Sequence, residues 1–218
     1  MFRDVRNSVN SEVSLKTAII ILGITIVMIA TAVGVAGYRF IWYQVNNTSI
    51  VELQLRAARE AARRNPQDPG KIAAVGDQYL HQGDINRALT EYEKAYAMKP
   101  RDSSIRFNLG VLYKEKKEYQ KSISLLSEVL RENPHHYLAL VNIGMAYMEK
   151  GNHQKAIQAF EKAVAINPGA ADIYLLLGGT YDRMGKKEEA LVNIDKALKF
   201  VPAYSEALEA KKRITQPR

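Results

Sequence analysis

The sequence predicts an all-α protein in which one transmembrane helix precedes a solenoid of four 34-residue helix–turn–helix repeats. Two observations support this fold class. Prolines recur every 34 residues with no insertion or deletion between them, at Pro66, Pro100, Pro134, Pro168 and Pro202. Residues 17–37 contain no charged side chain and match the ~20 residues that a helix needs to cross the hydrocarbon core of a bilayer.

The first element is this apolar span, which follows a flank at residues 1–16. An aromatic cluster of the kind found at the membrane–water interface extends the predicted transmembrane segment to residues 17–43 and contains Tyr38, Phe40, Trp42 and Tyr43. A cleaved signal peptide ending near Ala30-Thr31-Ala32 is an alternative, and a buried core helix is another. We favour a retained anchor, because the apolar run continues past that site and a helix apolar all round needs protein on every side.

Charge on either side of the span predicts its orientation. Arg3, Arg6 and Lys16 precede it, whereas Arg39 alone follows it closely. Because positive charge stays on the cytoplasmic side, we expect a cytoplasmic N-terminus and an extracytoplasmic repeat domain. The chain has no cysteine and therefore no disulfide framework, which is compatible with either compartment.

The remaining elements follow from the proline period. Residues 44–68 are interpreted as a linker and the second helix of a degenerate repeat. Residues 69–204 hold the four repeats, in windows of 69–102, 103–136, 137–170 and 171–204. Residues 205–218 are expected to form a capping helix, with Ala207 and Leu208 turned inward, and a tail. These elements exceed the three or so repeats that a stable stack requires.

Matched positions within the windows identify the repeat type. One glycine recurs at Gly76, Gly110, Gly144 and Gly178; a small residue at Ala88, Ser122, Ala156 and Ala190; and a large residue at Tyr92, Leu126, Phe160 and Ile194. This pattern resembles the tetratricopeptide repeat. The resemblance implies a right-handed α-solenoid whose first helices line a concave, peptide-binding groove. We expect each glycine to face the small residue of the second helix, so that the two backbones approach closely.

The turn inside each repeat has its own glycine position. Gly83, Gly151 and Gly185 fit a left-handed residue at the end of the first helix, and Asp84 and Asn152 are placed to cap the next helix. Lys117 occupies this position in the second repeat. A side chain there predicts a local strain of about 1 kcal/mol.

The sequence contains no set of residues typical of catalysis or metal binding. It has no cysteine nucleophile, G-x-S-x-G, P-loop or C-x-x-C, and adjacent His135 and His136 cannot share one helical face. We therefore expect no enzyme activity, catalytic residue, cofactor or metal. Lysines are interleaved with acids, which is not the single-sign stripe of a nucleic-acid-binding face. A cluster near the span suggests either attraction to an anionic membrane surface or a solvated helix face: Arg56, Arg59, Arg63 and Arg64.

The resemblance also predicts the groove lining: Asp77, Phe107, Asn108, Val111, Leu138, Val141, Asn142, Met145, Met148, Leu175 and Asp182. Asn108 and Asn142 are equivalent positions whose amides are suited to bond an extended ligand's backbone. The basic residues that clamp a chaperone's C-terminal carboxylate in the family are missing, and a single asparagine is retained. Their positions hold Ala73, Leu138 and Asn142 in one register and Phe107, Asp172 and Leu176 in the next. The lining is mostly apolar, and Met145 is expected to be more exposed than the leucines.

We therefore predict a membrane-anchored protein–protein interaction scaffold or assembly factor that binds a protein or peptide partner in this groove, with no nucleic-acid partner. The alternative is a structural subunit held in a membrane complex mainly by its transmembrane helix. Small-residue faces at Ala30 and Gly34, or at Ala32 and Ala36, would suit helix association. The sequence leaves homo-oligomerisation open.

Overall fold

The computed structural model describes residues 31, 33–39 and 50–216, and the chain divides into two compact units, Met1–Gln54 and Leu55–Arg218. In the first unit, residues 33–39 are helical. Among the described residues, no helix combines the length and the apolar character that crossing a membrane requires. Most of the predicted span at 17–37 lies outside the described residues, so the anchor stays a prediction.

The second unit consists of paired antiparallel helices that recur every 34 residues. Helix α1 covers residues 50–64 and belongs to this unit from Leu55 onward. The helices that follow are α2 (Pro69–His81), α3 (Ile85–Met98), α4 (Ser103–Glu115), α5 (Tyr119–Glu132), α6 (Tyr137–Glu149), α7 (His153–Ile166), α8 (Ala171–Arg183), α9 (Lys187–Phe200) and α10 (Ser205–Thr215). Each first helix packs on its own second helix, and each second helix packs on the next first helix. This arrangement confirms an all-α solenoid.

The periodic glycines allow the two helices of a repeat to approach closely. A Cβ atom on Gly144 would lie 2.5 Å from Cε1 of Phe160, and one on Gly110 would lie 2.9 Å from Cγ of Leu126. The large residue of the second helix therefore occupies the space that a side chain would need. The expected small residue also lies close in two repeats, where a Cβ atom on Gly76 would be 3.4 Å from the carbonyl oxygen of Ala88 and one on Gly178 would be 3.0 Å from that of Ala190. At Gly110 the nearest atoms belong to Leu126 and Leu125 instead of Ser122.

The turns inside the repeats match the sequence analysis. Gly83, Gly151 and Gly185 have φ values of 75°, 81° and 75°, and Lys117 adopts the same left-handed conformation with φ of 61°. The lysine backbone therefore follows the glycine path instead of reshaping the turn. Asp84 caps α3 by accepting a hydrogen bond of 2.9 Å from the backbone N–H of Arg87.

One charged side chain is buried among the apolar first-helix residues. Arg106 is only 4% exposed and takes the position that Ile72 and Leu140 occupy in neighbouring repeats. Its guanidinium pairs with Glu132 at 2.5 Å and Glu128 at 3.4 Å on α5. Because two carboxylates neutralise it, the charge is tolerated at a position that otherwise holds an apolar side chain.

Helices α1 and α10 cover the two ends of the stack. Leu55 of α1 is buried in the first apolar cluster, and Ala58 and Ala62 pack against that cluster. At the other end, α10 buries Ala207 and Ile214. Leu208 was expected to point inward, but its side chain is 48% exposed, because Ile214 contributes the second apolar contact instead.

Candidate partner-binding groove

The predicted groove residues lie on the first helices of the repeats, α2, α4, α6 and α8. Helix α4 contacts α6 directly, and α6 contacts α8, while Asp77 of α2 is connected to Asn108 of α4 through the Tyr92 hydroxyl. We call the surface of these four helices the first-helix face. It brings together the predicted lining residues: Asp77 on α2; Phe107, Asn108 and Val111 on α4; Leu138, Val141, Asn142, Met145 and Met148 on α6; and Leu175 and Asp182 on α8.

The apolar part of the face is centred on α6. Leu138 is 53% exposed, whereas Val141 and Met145 are half-buried and pack against the apolar cluster beneath them. The expectation that Met145 would be more exposed than the leucines is therefore wrong for Leu138, which lies in the first turn of α6. Phe107 is also half-buried, with its ring centroid 4.9 Å from that of His136. Leu138 is the most accessible apolar side chain among the predicted lining residues.

Met148 does not line the groove. Its side chain is 8% exposed, and the hydroxyl of Thr180 on α8 donates to its sulfur at 3.3 Å. The carbonyl oxygen of Leu176 lies 2.7 Å from the same hydroxyl and shares its single hydrogen with the sulfur. Because Met148 fills the junction between α6 and α8, no partner can reach it without separating the two helices.

The polar groups at the first end of the face are bonded to each other. Asn108 donates to the hydroxyl of Tyr92 at 2.8 Å, and that hydroxyl donates to Asp77. Burial, reinforced by the Asp77 carboxylate, raises the pKa of Tyr92 well above its ordinary value. This network engages one of the two N–H groups of the Asn108 amide.

Polar groups further along the face are engaged in the same way. Lys114 donates to the side-chain oxygen of Asn142 at 2.8 Å, and Asn142 donates to the carbonyl of Leu138 at 2.8 Å. Asp182 accepts a hydrogen bond of 2.8 Å from Arg213 on α10. A partner that bonds these groups has to displace these contacts or share the groups with them, because the Asn142 amide has a second N–H and the Asp182 carboxylate has a second oxygen. The contacts therefore restrict polar recognition on this face without removing it.

Several of these bonds share a pattern, because they join one repeat to the next. Tyr92 and Asn108 link the first two repeats, and Lys114 and Asn142 link the second and third. The third and fourth are joined by Arg183 and Glu149, 2.9 Å apart, and the fourth is joined to α10 by the Asp182–Arg213 pair. Every junction along the face therefore has a polar bond in addition to its apolar packing.

Comparison with known proteins identifies the repeats. Three tetratricopeptide repeat family profiles match residues 79–143, 137–169 and 171–204. The chain carries tetratricopeptide repeats. A stretch of 101 residues is also 28% identical to Superkiller protein 3 of Schizosaccharomyces pombe. This match covers 42% of the chain but 7% of that relative's length.

Solved structures share the TPR fold. MamA is 27% identical with a TM-score of 0.63, and the match covers 67% of this chain and 85% of that chain. MamA residues 41-end from Desulfovibrio magneticus RS-1 is 24% identical, with a TM-score of 0.68 and coverage of 77% and 95%. YrrB, described as a TPR protein with an unusual peptide-binding site, is 23% identical, with a TM-score of 0.69 and coverage of 77% and 86%.

The TPR framework also shows which residue the sequence analysis missed. Lys114 occupies the same repeat position as Met148 and Asp182, both of which were assigned to the groove. Its side chain is 12% exposed and lies against Asn142 and Glu115, with Nζ 3.0 Å from a Glu115 oxygen. Repeat position alone could have identified it. Its contact with Asn142 across a TPR junction could not be read from spacing.

Proposed function

We propose that this protein is a membrane-anchored TPR scaffold that holds a protein or peptide partner through apolar contacts on the first-helix face. The observation that carries the proposal is the exposure of Leu138 beside the half-buried Val141 and Met145, on a face whose polar groups are bonded internally. An apolar side chain presented at a shallow, adaptable site suits the apolar side of a helix or an extended segment. The peptide-binding site described for YrrB supports this assignment by analogy of fold.

The sharpest test of the groove replaces Leu138. Because this side chain is exposed, Leu138→Glu should leave the fold intact while placing a charge where a partner's apolar group would lie. Val192→Glu on α9 is a matched control, since Val192 is 54% exposed and lies on a second helix. We expect the same partner to co-purify with the wild type and with Val192→Glu, and to be lost with Leu138→Glu.

Retention of the partner by Leu138→Glu would reject the first-helix face as the binding site. Changes at Asn142 or Met145 are less informative probes. Asn142 bonds Lys114, and Met145 packs against the core, so their substitution would weaken the repeat stack as well as any ligand contact. Thermal unfolding of each variant, compared with that of the wild type, separates lost binding from lost structure.

The anchor is proposed from the uncharged run at residues 17–37 and from the positive charge that precedes it. It would raise the partner's effective concentration at the membrane surface. The absence of cysteine provides a clean test. Ser205 is exposed at the start of α10, so Ser205→Cys introduces a single accessible thiol.

The expected result is that a membrane-impermeant maleimide labels this thiol in intact cells, which would indicate an extracytoplasmic repeat domain. Labelling only after permeabilisation would reverse the orientation. Recovery of the unlabelled chain in the soluble fraction after cell lysis would reject the anchor itself. Parallel labelling of the cysteine-free wild type controls for reaction at other groups.

A further inference from the structure

A second surface, which borders the first-helix face at the ends of α4, α6 and α8, lies where the turns inside successive repeats meet. We call residues 82–87, 115–121, 149–155 and 183–189 the turn edge. An open cleft of about 700 Å³ separates the first two turns, and its lining includes Arg87, Lys116 and Lys117. A similar cleft of about 580 Å³ follows at the third turn. The adjacent turns therefore present repeated polar recesses.

Lysine side chains on this edge extend from one turn to the preceding turn, where their ammonium groups donate hydrogen bonds to uncharged side-chain amides. Lys116 donates to the side-chain oxygen of Asn86 at 2.8 Å, and Lys150 donates to that of Gln120 one repeat later. An amide oxygen accepts the hydrogen bond but does not neutralise the ammonium charge. In the last repeat, Met184 takes the lysine position, so the described bridges are confined to the first three turns.

The carboxylates of these turns are already paired with other cations. Asp84 pairs with Arg87, Glu118 with Lys121 at 2.6 Å, and Glu149 with Arg183 at 2.9 Å. Within the described part of the chain, five lysines on this edge have no ion-pair partner, namely Lys116, Lys117, Lys150, Lys155 and Lys187. The acidic side chain on the edge without such a partner is Glu188. The edge consequently has a positive charge that the protein does not compensate.

Aromatic rings extend this pattern beneath the edge. Arg87 lies over the ring of Tyr79 at 4.6 Å, and Lys155 lies over that of Tyr147 at 5.5 Å, each from the cation to the ring centroid. Arg87 is already paired with Asp84, whereas Lys155 is one of the cations without an ion-pair partner. Its ring contact holds it against the protein surface, which lowers the entropic cost of using it in binding. A surface of exposed, oriented cations differs from a solvated face of mobile lysines.

We propose that the turn edge binds an acidic polypeptide segment, whose carboxylates pair with the lysines of successive turns. Paired carboxylates such as Glu118 and Glu149 interrupt the positive charge. A continuous phosphate backbone would meet them at each repeat, whereas separated acidic side chains fit between them. The recesses between the turns likewise suit side chains better than a flat lipid surface. This proposal is independent of the groove on the first-helix face.

The test measures binding of a fluorescein-labelled peptide of alternating glutamate and serine to the full chain in a neutral detergent, by fluorescence anisotropy. The variant is Lys116→Met with Lys150→Met, because Met184 shows that a repeat accommodates methionine at this position. The matched control is Lys162→Met with Lys199→Met, which removes the same charge from exposed sites on α7 and α9.

We expect the turn-edge variant to bind the glutamate peptide about tenfold more weakly, the control variant within about twofold of the wild type, and a glutamine version of the peptide not to bind. An equal loss in both variants would indicate non-specific charge attraction and overturn the proposal. Absence of peptide binding would also overturn it. The proposal would also be overturned if a single-stranded oligonucleotide or phosphatidylglycerol micelles displaced the labelled peptide at a lower concentration than the unlabelled glutamate peptide does. The edge would then recognise phosphate.

Discussion

Two adjacent glycines of α8 provide the strictest test of the packing argument. A Cβ atom on Gly178 would lie 2.7 Å from Cγ1 of Ile194 and 3.0 Å from the carbonyl oxygen of Ala190. A Cβ atom on Gly179 would have no neighbour within 4 Å. Both positions are inside the same helix, so alanine gains about 1 kcal/mol of helix propensity at either one.

The two substitutions should therefore change stability in opposite directions. At Gly178 the added methyl group overpacks the helix pair, at a typical cost of 1–3 kcal/mol. The backbone carbonyl of Ala190 cannot rotate away, so we place the cost towards the upper part of that range. Gly178→Ala should lose up to about 2 kcal/mol after the propensity gain, whereas Gly179→Ala should gain about 0.5–1 kcal/mol.

Urea unfolding monitored by far-ultraviolet circular dichroism measures both changes. The comparison requires equal m-values, because altered cooperativity in a repeat array would invalidate the extrapolated free energies. A stabilised Gly178→Ala, or the same sign for both variants, would refute the view that close approach to Ile194 is the reason for glycine at this position. In an Ile194→Ala background, which removes the contacting Cγ1 atom, the cost of Gly178→Ala should be smaller than in the wild type.

Two further predictions concern single side chains. Lys117→Gly should raise the free energy of unfolding by about 1 kcal/mol, because glycine adopts the observed φ of 61° without a Cβ clash. Gly151→Ala should lower the free energy of unfolding by a similar amount. A destabilised Lys117→Gly variant in urea unfolding would contradict this reasoning. The raised pKa of Tyr92 means that its contribution to folding is present below pH ~10 and is lost as the pH rises above that, because the unfolded chain releases the phenolic proton first. Tyr92→Phe should therefore show a shallower loss of unfolding free energy in alkaline solution than the wild type, and an unchanged slope would assign the loss to other groups.

The parts of the fold that depend on spacing were predictable from the sequence. A period shared by prolines and glycines specifies paired helices, and Gly83 and Lys117 mark equivalent turns because the left-handed conformation is a local backbone property. The side chain that lies nearest each glycine was not predictable to the same degree. Whether Ser122 or Leu126 reaches Gly110 depends on side-chain length and rotamer, which the period does not contain.

The candidate groove was predictable as a set of positions but not as a set of available groups. Repeat position placed Asn142 and Met148 on the first helix of the third repeat. Only three-dimensional contacts show that Lys114 bonds the side chain of Asn142 and that Thr180 lies against the sulfur of Met148. The burial of Arg106 has the same origin, because its carboxylate partners lie 22 and 26 residues further along the chain.

The bonds between repeats on the first-helix face have a consequence for how occupancy would be transmitted. A repeat array behaves as a row of units whose cooperativity depends on the coupling between neighbours. A ligand that takes the amide of Asn142 from Lys114 would weaken one such coupling, whereas a purely apolar ligand on Leu138 would leave it intact. A partner that binds through Leu138 alone would thus keep the repeats coupled. A partner that takes the Asn142 amide would allow the repeats on either side of that junction to fluctuate more independently.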